Sequence, residues 1–416
     1  KNVLLIVLDC LRSDSCQSLM KRPFSFVGHL CEHGCYFNQA ISATSFTTPS
    51  FGSILTGAYP FLHGIQSFKD KLNEECVTLA QILKDSGYTT CAMVSGTLVP
   101  QLGLNRGFHK YFFRNEDETI YSRFGDQLKK YLKEATDPWF ILLHLWELHY
   151  PIHFPRQFKN SVFRLRKYDE ALTILDRYLF TLLEGIVDDA IVVLVSDHGE
   201  RMPNFLGSVQ GNVLSFFRIN PRSKVFISLS MQFFKMFPRL FKIVGHGFDL
   251  HDSVIKVPLI LAGDKFPKGT IITTQVSQVD ILPTILDAVG LQEKIPKYIH
   301  GRSLIPLVRN EGFSESMIYI GPTGKHGSTK QRIEGLRTSK WKYISLYNEH
   351  KPVGLYDLEN DPNESENLVA LRPRTTKRFK EVLRKMKSTY AMPHSGMTEA
   401  EREMIREKLK DLGYFE

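Results

Sequence analysis

Three continuous apolar runs of strand length, NVLLIVLD at 2–9, PWFILLHLW at 138–146 and AIVVLVS at 190–196, constrain this chain more than any other feature. A run that is apolar at every position leaves no solvent-facing side, as expected of a parallel strand buried on both faces. Between the first two runs stand a helical pattern closed by glycine, LAQILKDSG at 79–87, and a further strand, YTTCAMVS at 88–95. Strands separated by helical stretches predict an α/β fold with a mostly parallel central sheet and helices on both faces. Past residue 310 the pattern shifts to short strands around SMIYIG, GLRTSKWKYI and VGLYDL, then to a charged helical tail. We therefore expect one large unit over 1–310 and a smaller C-terminal subdomain with an antiparallel sheet over 311–416. With 416 residues, 43% of them apolar, the chain can bury one large core and a second smaller one.

A formal charge of +9 and a pI near 9.1 favour anionic partners. All six cysteines lie in the first 91 residues without a CxxC pair, which argues against a zinc ribbon and for a reduced, cytoplasmic chain. No apolar run approaches the roughly 18 residues of a membrane span, and no charged-then-apolar leader opens the sequence at Lys1. Residues 201–244 interleave phenylalanines with arginines and lysines, the pattern of a helical lid packed on the core. The alternative for this insertion is an interfacial segment that touches a membrane surface or a lipid-like ester. Aromatic stacking with basic groups also suits single-stranded nucleic acid, but no recognised module accompanies it and no nucleic-acid partner is expected. The tail TEAEREMIREKLKDLGYF opens with a capping box, Thr398 with Glu401, and reads as an amphipathic structural helix.

In a doubly covered parallel sheet, ligands sit beyond the carboxyl ends of the strands, and polar residues gather there. The first strand finishes in Asp9, the 190s strand runs into Asp197 and His198, and the 140s strand is followed by Glu147 and His149. Two aspartates and a histidine at one sheet edge suit a mixed oxygen and nitrogen metal site. The stretch SATSFTTPSFGSILTG, 42–57, crowds hydroxyls ahead of Pro49, which fits the first turn of a helix that Gly57 would end. Thr47 or Thr48 is then an N-cap, or Thr47 is a nucleophile at the positive end of the helix, where an anion and a metal can meet it.

These segments, together with GHGFDLHDSVIKVPLI, VSQVDILPTILDAVG and LYDLENDPNESENL, resemble the sulfatase branch of the alkaline phosphatase superfamily, in order along nearly the whole chain. The resemblance makes 1–310 the catalytic unit. It makes Thr47 the nucleophile and, with Asp9, Asp197 and His198, a metal ligand. It makes His149 and His246 substrate-binding residues that contact the ester or protonate its leaving group. Lys325, in the GPTGKHGSTK loop, is a candidate to reach the substrate from the C-terminal subdomain. With His198 among the ligands we expect Mn²⁺ or Zn²⁺ ahead of Mg²⁺ or Ca²⁺; a second ion would draw on His149 or His246.

The departures from the family pattern shape the expected reaction. Thr47 stands where sulfatases carry the Cys or Ser that becomes formylglycine, and threonine cannot yield that aldehyde, so no formylglycine is expected. Phe51 replaces the arginine of the C-x-P-S-R core, Cys10 replaces the second carboxylate of the usual Asp pair, Ile152 replaces an aromatic, and the lysine after the HG element is missing. Family members with an unmodified threonine act on phosphorus. The expectation is therefore a metal-dependent hydrolase or transferase of phosphate diesters or phosphonate esters, working through a covalent Thr47 intermediate. The alternatives are a sulfate ester hydrolase and a catalytically weak relative that binds an anion or lipid.

Overall fold

The computed structural model describes residues 1–114, 118–149, 152–155, 167–201, 245–323 and 331–389, with positions 400, 403, 404 and 407 of the tail. Lys325, the 202–244 part of the insertion and the capping box at Thr398 lie outside the described residues.

The apolar runs form strands as expected: β1 (Asn2–Leu8), β5 (Trp139–Leu145) and β6 (Ala190–Ser196) are buried along their whole length. They lie side by side in parallel, with Leu5 opposite Leu142 of β5 on one side and opposite Val193 of β6 on the other. The full sheet adds β2 (Gly34–Ile41), β3 (Thr89–Val94), β4 (Lys110–Phe113), β7 (Lys256–Ala262), β8 (Thr270–Ile272) and the short β9 (Val276–Ser277). Its order is β4-β3-β5-β1-β6-β7-β2-β8, with β9 also on β2. Every pairing is parallel except those of β7, which runs antiparallel to both β6 and β2.

Alternation along β1 divides the core. Val3, Leu5 and Val7 pack with residues of the helices Thr47–Thr56, Leu79–Asp85 and Ile281–Ala288. Leu4, Ile6 and Leu8 pack with residues of the helices Phe26–Glu32, Arg123–Glu134 and Lys167–Leu183. The result is a three-layer α/β unit, and burying both faces is what demands uninterrupted apolar strands.

A second sheet, β10 (Ile318–Ile320), β11 (Ile333–Arg337), β12 (Trp341–Leu346) and β13 (Pro352–Asp357), is antiparallel throughout. Tyr319, Leu336, Tyr343 and Leu355 from this sheet, Phe379 and Leu383 from the helix Pro373–Thr389, and Tyr59 and Phe61 from the larger unit make one apolar cluster. The ion pairs that Asp252 makes with Arg337 and Lys342 further tie the two sheets together. No helix of the described residues is long and apolar enough to cross a membrane.

Candidate active site

Asp9 immediately follows β1 and Asp197 follows β6. Because those strands are parallel neighbours, with Leu8 opposite Ser196, the two carboxylates arrive at the same sheet edge. Both are buried. Asp197 Oδ1 accepts from the backbone N–H of His198 at 2.8 Å and more weakly from that of Cys10 at 3.4 Å. The sequence places His198 next, and its Nε2 lies 3.6 Å from Asp9 Oδ1, 3.4 Å from Asp197 Oδ2 and 3.3 Å from Thr47 Oγ1.

Thr47 is the first residue of its helix. The N-cap is the extended Phe46, whose side chain cannot cap, and Thr47 is not the cap its sequence position offered. Its hydroxyl instead faces His198 and the Asp197 carboxylate. Gly57 ends the helix in the left-handed conformation, as the sequence indicated. The first-turn N–H groups of this helix thus lie beside the hydroxyl, where they favour negative charge.

Two further histidines complete the cluster. His246 stacks on His198 with ring centroids 4.1 Å apart, and His149 meets His246 edge-on at 5.2 Å. His246 Nδ1 is 3.0 Å from Glu200 Oε2. The structure therefore brings together Asp9, Thr47, His149, Asp197, His198 and His246. It removes Glu147: that carboxylate is fully buried and bound by Arg114 Nη1 at 2.5 Å and by the Ile120 N–H at 2.8 Å.

Sequence reasoning missed two participants. His144, inside the apolar β5 run, is opposite Val7 and brings Nε2 to 3.7 Å from Asp9 Oδ2; a single imidazole in an otherwise apolar strand was the available signal. Glu200 was visible only as the end of SDHGE. Phe51, which stands in place of the family's arginine, is buried edge-on against His144 at 4.8 Å and brings no charge.

The electrostatics are those of a site built for a cation. Burial and the adjacent charge of Asp9 push the Asp197 carboxyl up to about 8. Burial acts the same way on Asp9, but the hydrogen bond from the His144 imidazole, with the other imidazoles around it, outweighs it and holds Asp9 low. Two buried carboxylates in one site resist joint ionisation without a positive partner. Burial and His246 depress His198 to about 4, so it is a neutral nitrogen donor. Burial would lower His246, yet its hydrogen bond and charge interaction with Glu200 raise it. Ligand atoms of Asp9, His144 and Asp197 all lie within 4.8 Å of one another, and the buried Asp197 Oδ2 and His144 Nε2 make no well-aligned hydrogen bond. These residues fit a divalent ion.

A mostly parallel sheet covered on both faces, with carboxylates, imidazoles and a helix-borne hydroxyl at its carboxyl edge, defines the architecture of the alkaline phosphatase-like superfamily. Within it, this chain belongs to the sulfatase family: the Sulfatase family model matches residues 1–291, and that of the N-sulphoglucosamine sulphohydrolase C-terminal region matches 247–391. Arylsulfatase K of Bos taurus is 27% identical over 208 residues, 48% of this chain and 31% of the bovine protein. The N-acetylglucosamine-6-O-sulfatase of Bacteroides thetaiotaomicron is 28% identical over 148 residues, 34% of this chain and 26% of that protein. The matched segments thus span about a third or less of these curated relatives. Among solved structures, a 2-O GAG sulfatase superposes with a TM-score of 0.70 at 15% identity, covering 96% of each chain. The phosphonate monoester hydrolase of Agrobacterium radiobacter gives 0.66 at 18% identity, covering 94% of this chain and 96% of that one. At these identities both likenesses concern the fold.

Proposed function

We propose that the chain is a metal-dependent hydrolase of anionic esters that uses Thr47 as its nucleophile. The observation that carries this reading is the Thr47 hydroxyl, released from capping, 3.3 Å from His198 Nε2 and against Asp197 at the start of a helix. Asp9, Asp197 and His198, with Thr47 Oγ1, would hold the divalent ion, and His144 adds a donor that the sequence reading had not included. Such an ion lowers the pKa of a nearby hydroxyl and polarises the ester. The preference for Mn²⁺ or Zn²⁺, drawn from His198 alone, finds no support in the relatives. Two carboxylates give this set the hard oxygen donors that Ca²⁺ and Mg²⁺ accept equally well.

The chain's own groups have definite tasks in this reading. Asp197 and neutral His198 orient the Thr47 hydroxyl, whose proton passes to the Asp197 carboxylate as Oγ1 bonds to the central atom of the ester. First-turn N–H groups and His149 stabilise the oxygens of that centre. His246, whose hold on a proton Glu200 strengthens, gives a proton to the departing alkoxide. Water then cleaves the threonyl ester and restores the hydroxyl.

The relatives favour a sulfate ester as substrate, because the curated proteins matched are sulfatases by name. A second reading, a phosphonate ester or phosphate diester, is favoured by Thr47 itself, which has no route to an aldehyde, and accords with the fold shared with phosphonate monoester hydrolases. The deciding experiment measures turnover of aryl sulfate, aryl phosphonate and phosphate diester with Ca²⁺, Mg²⁺, Mn²⁺ or Zn²⁺, in the native protein and in Thr47→Ala. Turnover of one class that disappears in the variant supports the reading and chooses the substrate. Activity indifferent to Thr47 refutes the nucleophile, and silence on every ester with metal bound favours an anion-binding relative.

A further inference from the structure

Cys10 is the residue that the ester chemistry leaves unused. It follows Asp9 at the end of β1 with φ of 61°, a left-handed conformation that costs a non-glycine residue about 1–3 kcal/mol. Its backbone is held there by two contacts: the N–H faces Asp197 Oδ1 at 3.4 Å, and the carbonyl accepts from the Tyr168 hydroxyl at 2.7 Å. This turn aims the buried sulfur into the site and away from the hydrophobic core. Sγ lies 3.1 Å from Asp9 Oδ1, 3.5 Å from Glu200 Oε2 and 3.7 Å from His246 Nδ1. Ligand atoms of Cys10, His149 and His246 all fall within 4.8 Å of one another, as do those of Cys10, Asp9 and His198, so the sulfur stands at the junction of this set and the set of Asp9, His144 and Asp197.

We propose that Cys10, His149 and His246 form a second metal site for a thiophilic divalent ion of the zinc class, beside the harder site of the two aspartates. One sulfur and two imidazoles are the donors that such an ion prefers, whereas Ca²⁺ and Mg²⁺ avoid them. Glu200, bonded to His246 at 3.0 Å, is the carboxylate that fixes a ligating imidazole. Binding converts the thiol to a thiolate and releases its proton to solvent.

Charge balance gives an independent reason. Asp9, Asp197 and Glu200 place three carboxylates where an anionic ester must enter, and Phe51 occupies the position of the expected arginine. Arg12 and Arg201, the arginines nearest these acids in sequence, are engaged by Asp14 and Asp249. One dication leaves this trio with net negative charge; a second, together with the thiolate it creates, brings the site to neutrality. The inference goes beyond the proposed function and holds for either class of ester: with the second ion bound, His246 serves as a ligand in place of proton donor, and the departing alkoxide takes its proton from solvent.

The test is a Co²⁺ titration of the chelator-stripped protein, read by bound-metal stoichiometry and by thiolate-to-cobalt charge-transfer absorption. Two ions per chain with the charge-transfer band are expected. Cys10→Ser should lose the band and one ion, and His246→Ala should also lose one ion, the ion retained in each showing that the fold survives. Asp197→Asn should lose the other ion and keep the band, so failure of the aspartate site and failure of the cysteine site are separable. Zn²⁺, but not Ca²⁺, should bleach the band by displacement. A band with one ion per chain would make Cys10 a ligand of the aspartate site and overturn the proposal, as would the absence of any band.

Discussion

Arg114 and Glu147 form an ion pair with neither side chain exposed, and removing one partner is expected to destabilise the protein far more than removing both. In Arg114→Leu, Glu147 keeps only the Ile120 N–H as a partner among its described contacts. An uncompensated buried charge costs about 3–5 kcal/mol. The variant also loses the guanidinium's placement over Phe124 at 5.0 Å and Trp146 at 5.6 Å, each contact worth about 0.5–2 kcal/mol. The new leucine recovers part of this by apolar burial, so a net loss of about 4 kcal/mol is expected. In Arg114→Leu/Glu147→Met no charge remains to be solvated, and the net loss should fall to about 1 kcal/mol, because hydrophobic replacement of a buried pair is often near neutral. The assay is urea unfolding of the native protein, both single variants and the double variant, compared at constant m. Acid provides a second reading. Without Arg114, burial raises the folded pKa of Glu147 above its unfolded value. The penalty on the ionised form is then fully present above the folded pKa and disappears as pH falls, so Arg114→Leu should regain stability relative to native at about pH 5. A single variant that loses less than about 1 kcal/mol, or a double variant that loses the sum of the singles, would refute the reasoning.

Gly34 allows β2 to approach β7: a Cβ there would lie 2.1 Å from the Leu261 carbonyl oxygen, so Gly34→Ala should cost at least the upper part of the roughly 1–3 kcal/mol of overpacking, read as a lower urea midpoint. Burial raises Asp176 to about 6, even though its carboxylate accepts the Val27 N–H at 2.9 Å. A raised folded pKa in an acid means lost stability as pH climbs from the unfolded value toward 6; Asp176→Asn should abolish a fall of about 3 kcal/mol between about pH 4 and 7 in the native-minus-variant difference. Chelation should lower the melting temperature, and excess Ca²⁺, which the sulfur and imidazole set does not favour, should restore it by about 2.7 kcal/mol at roughly a hundredfold excess over Kd; Asp9→Asn should remove this Ca²⁺ response.

What could be read from the sequence follows the range of the forces involved. β1, β5 and β6 were legible because burial on both faces leaves a local mark in every residue. β2 was not: Asn38 and Gln39 interrupt its apolar pattern at the point where its pairing with β7 shifts register. β4 is four residues long and lies at the sheet margin with no residue fully buried. In the site, Asp9, Asp197 and His198 were legible as polar residues ending buried strands, and Thr47 as a hydroxyl near a helix start. Glu147 had the same local signature but a different fate, since its partner Arg114 lies 33 residues away. His144 was hidden by its apolar neighbours, where an imidazole is more often a satisfied core residue than a ligand.

The placement of the carboxylates at adjacent strand ends also bears on how the protein is made. Cys10 and Asp197 face each other from positions 187 residues apart, so at roughly 5–20 residues per second the first half of the site waits about 10–40 s for the second to leave the ribosome. β1 then stands between an early neighbour, β5, and a late one, β6, and β2 gains its partner β7 only after residue 262 is made. During that interval a strand buried along its whole length has an open edge. Nascent chains halted before β6 should accordingly be the species most dependent on chaperones, and added metal cannot rescue them, because Asp197 and His198 are not yet present.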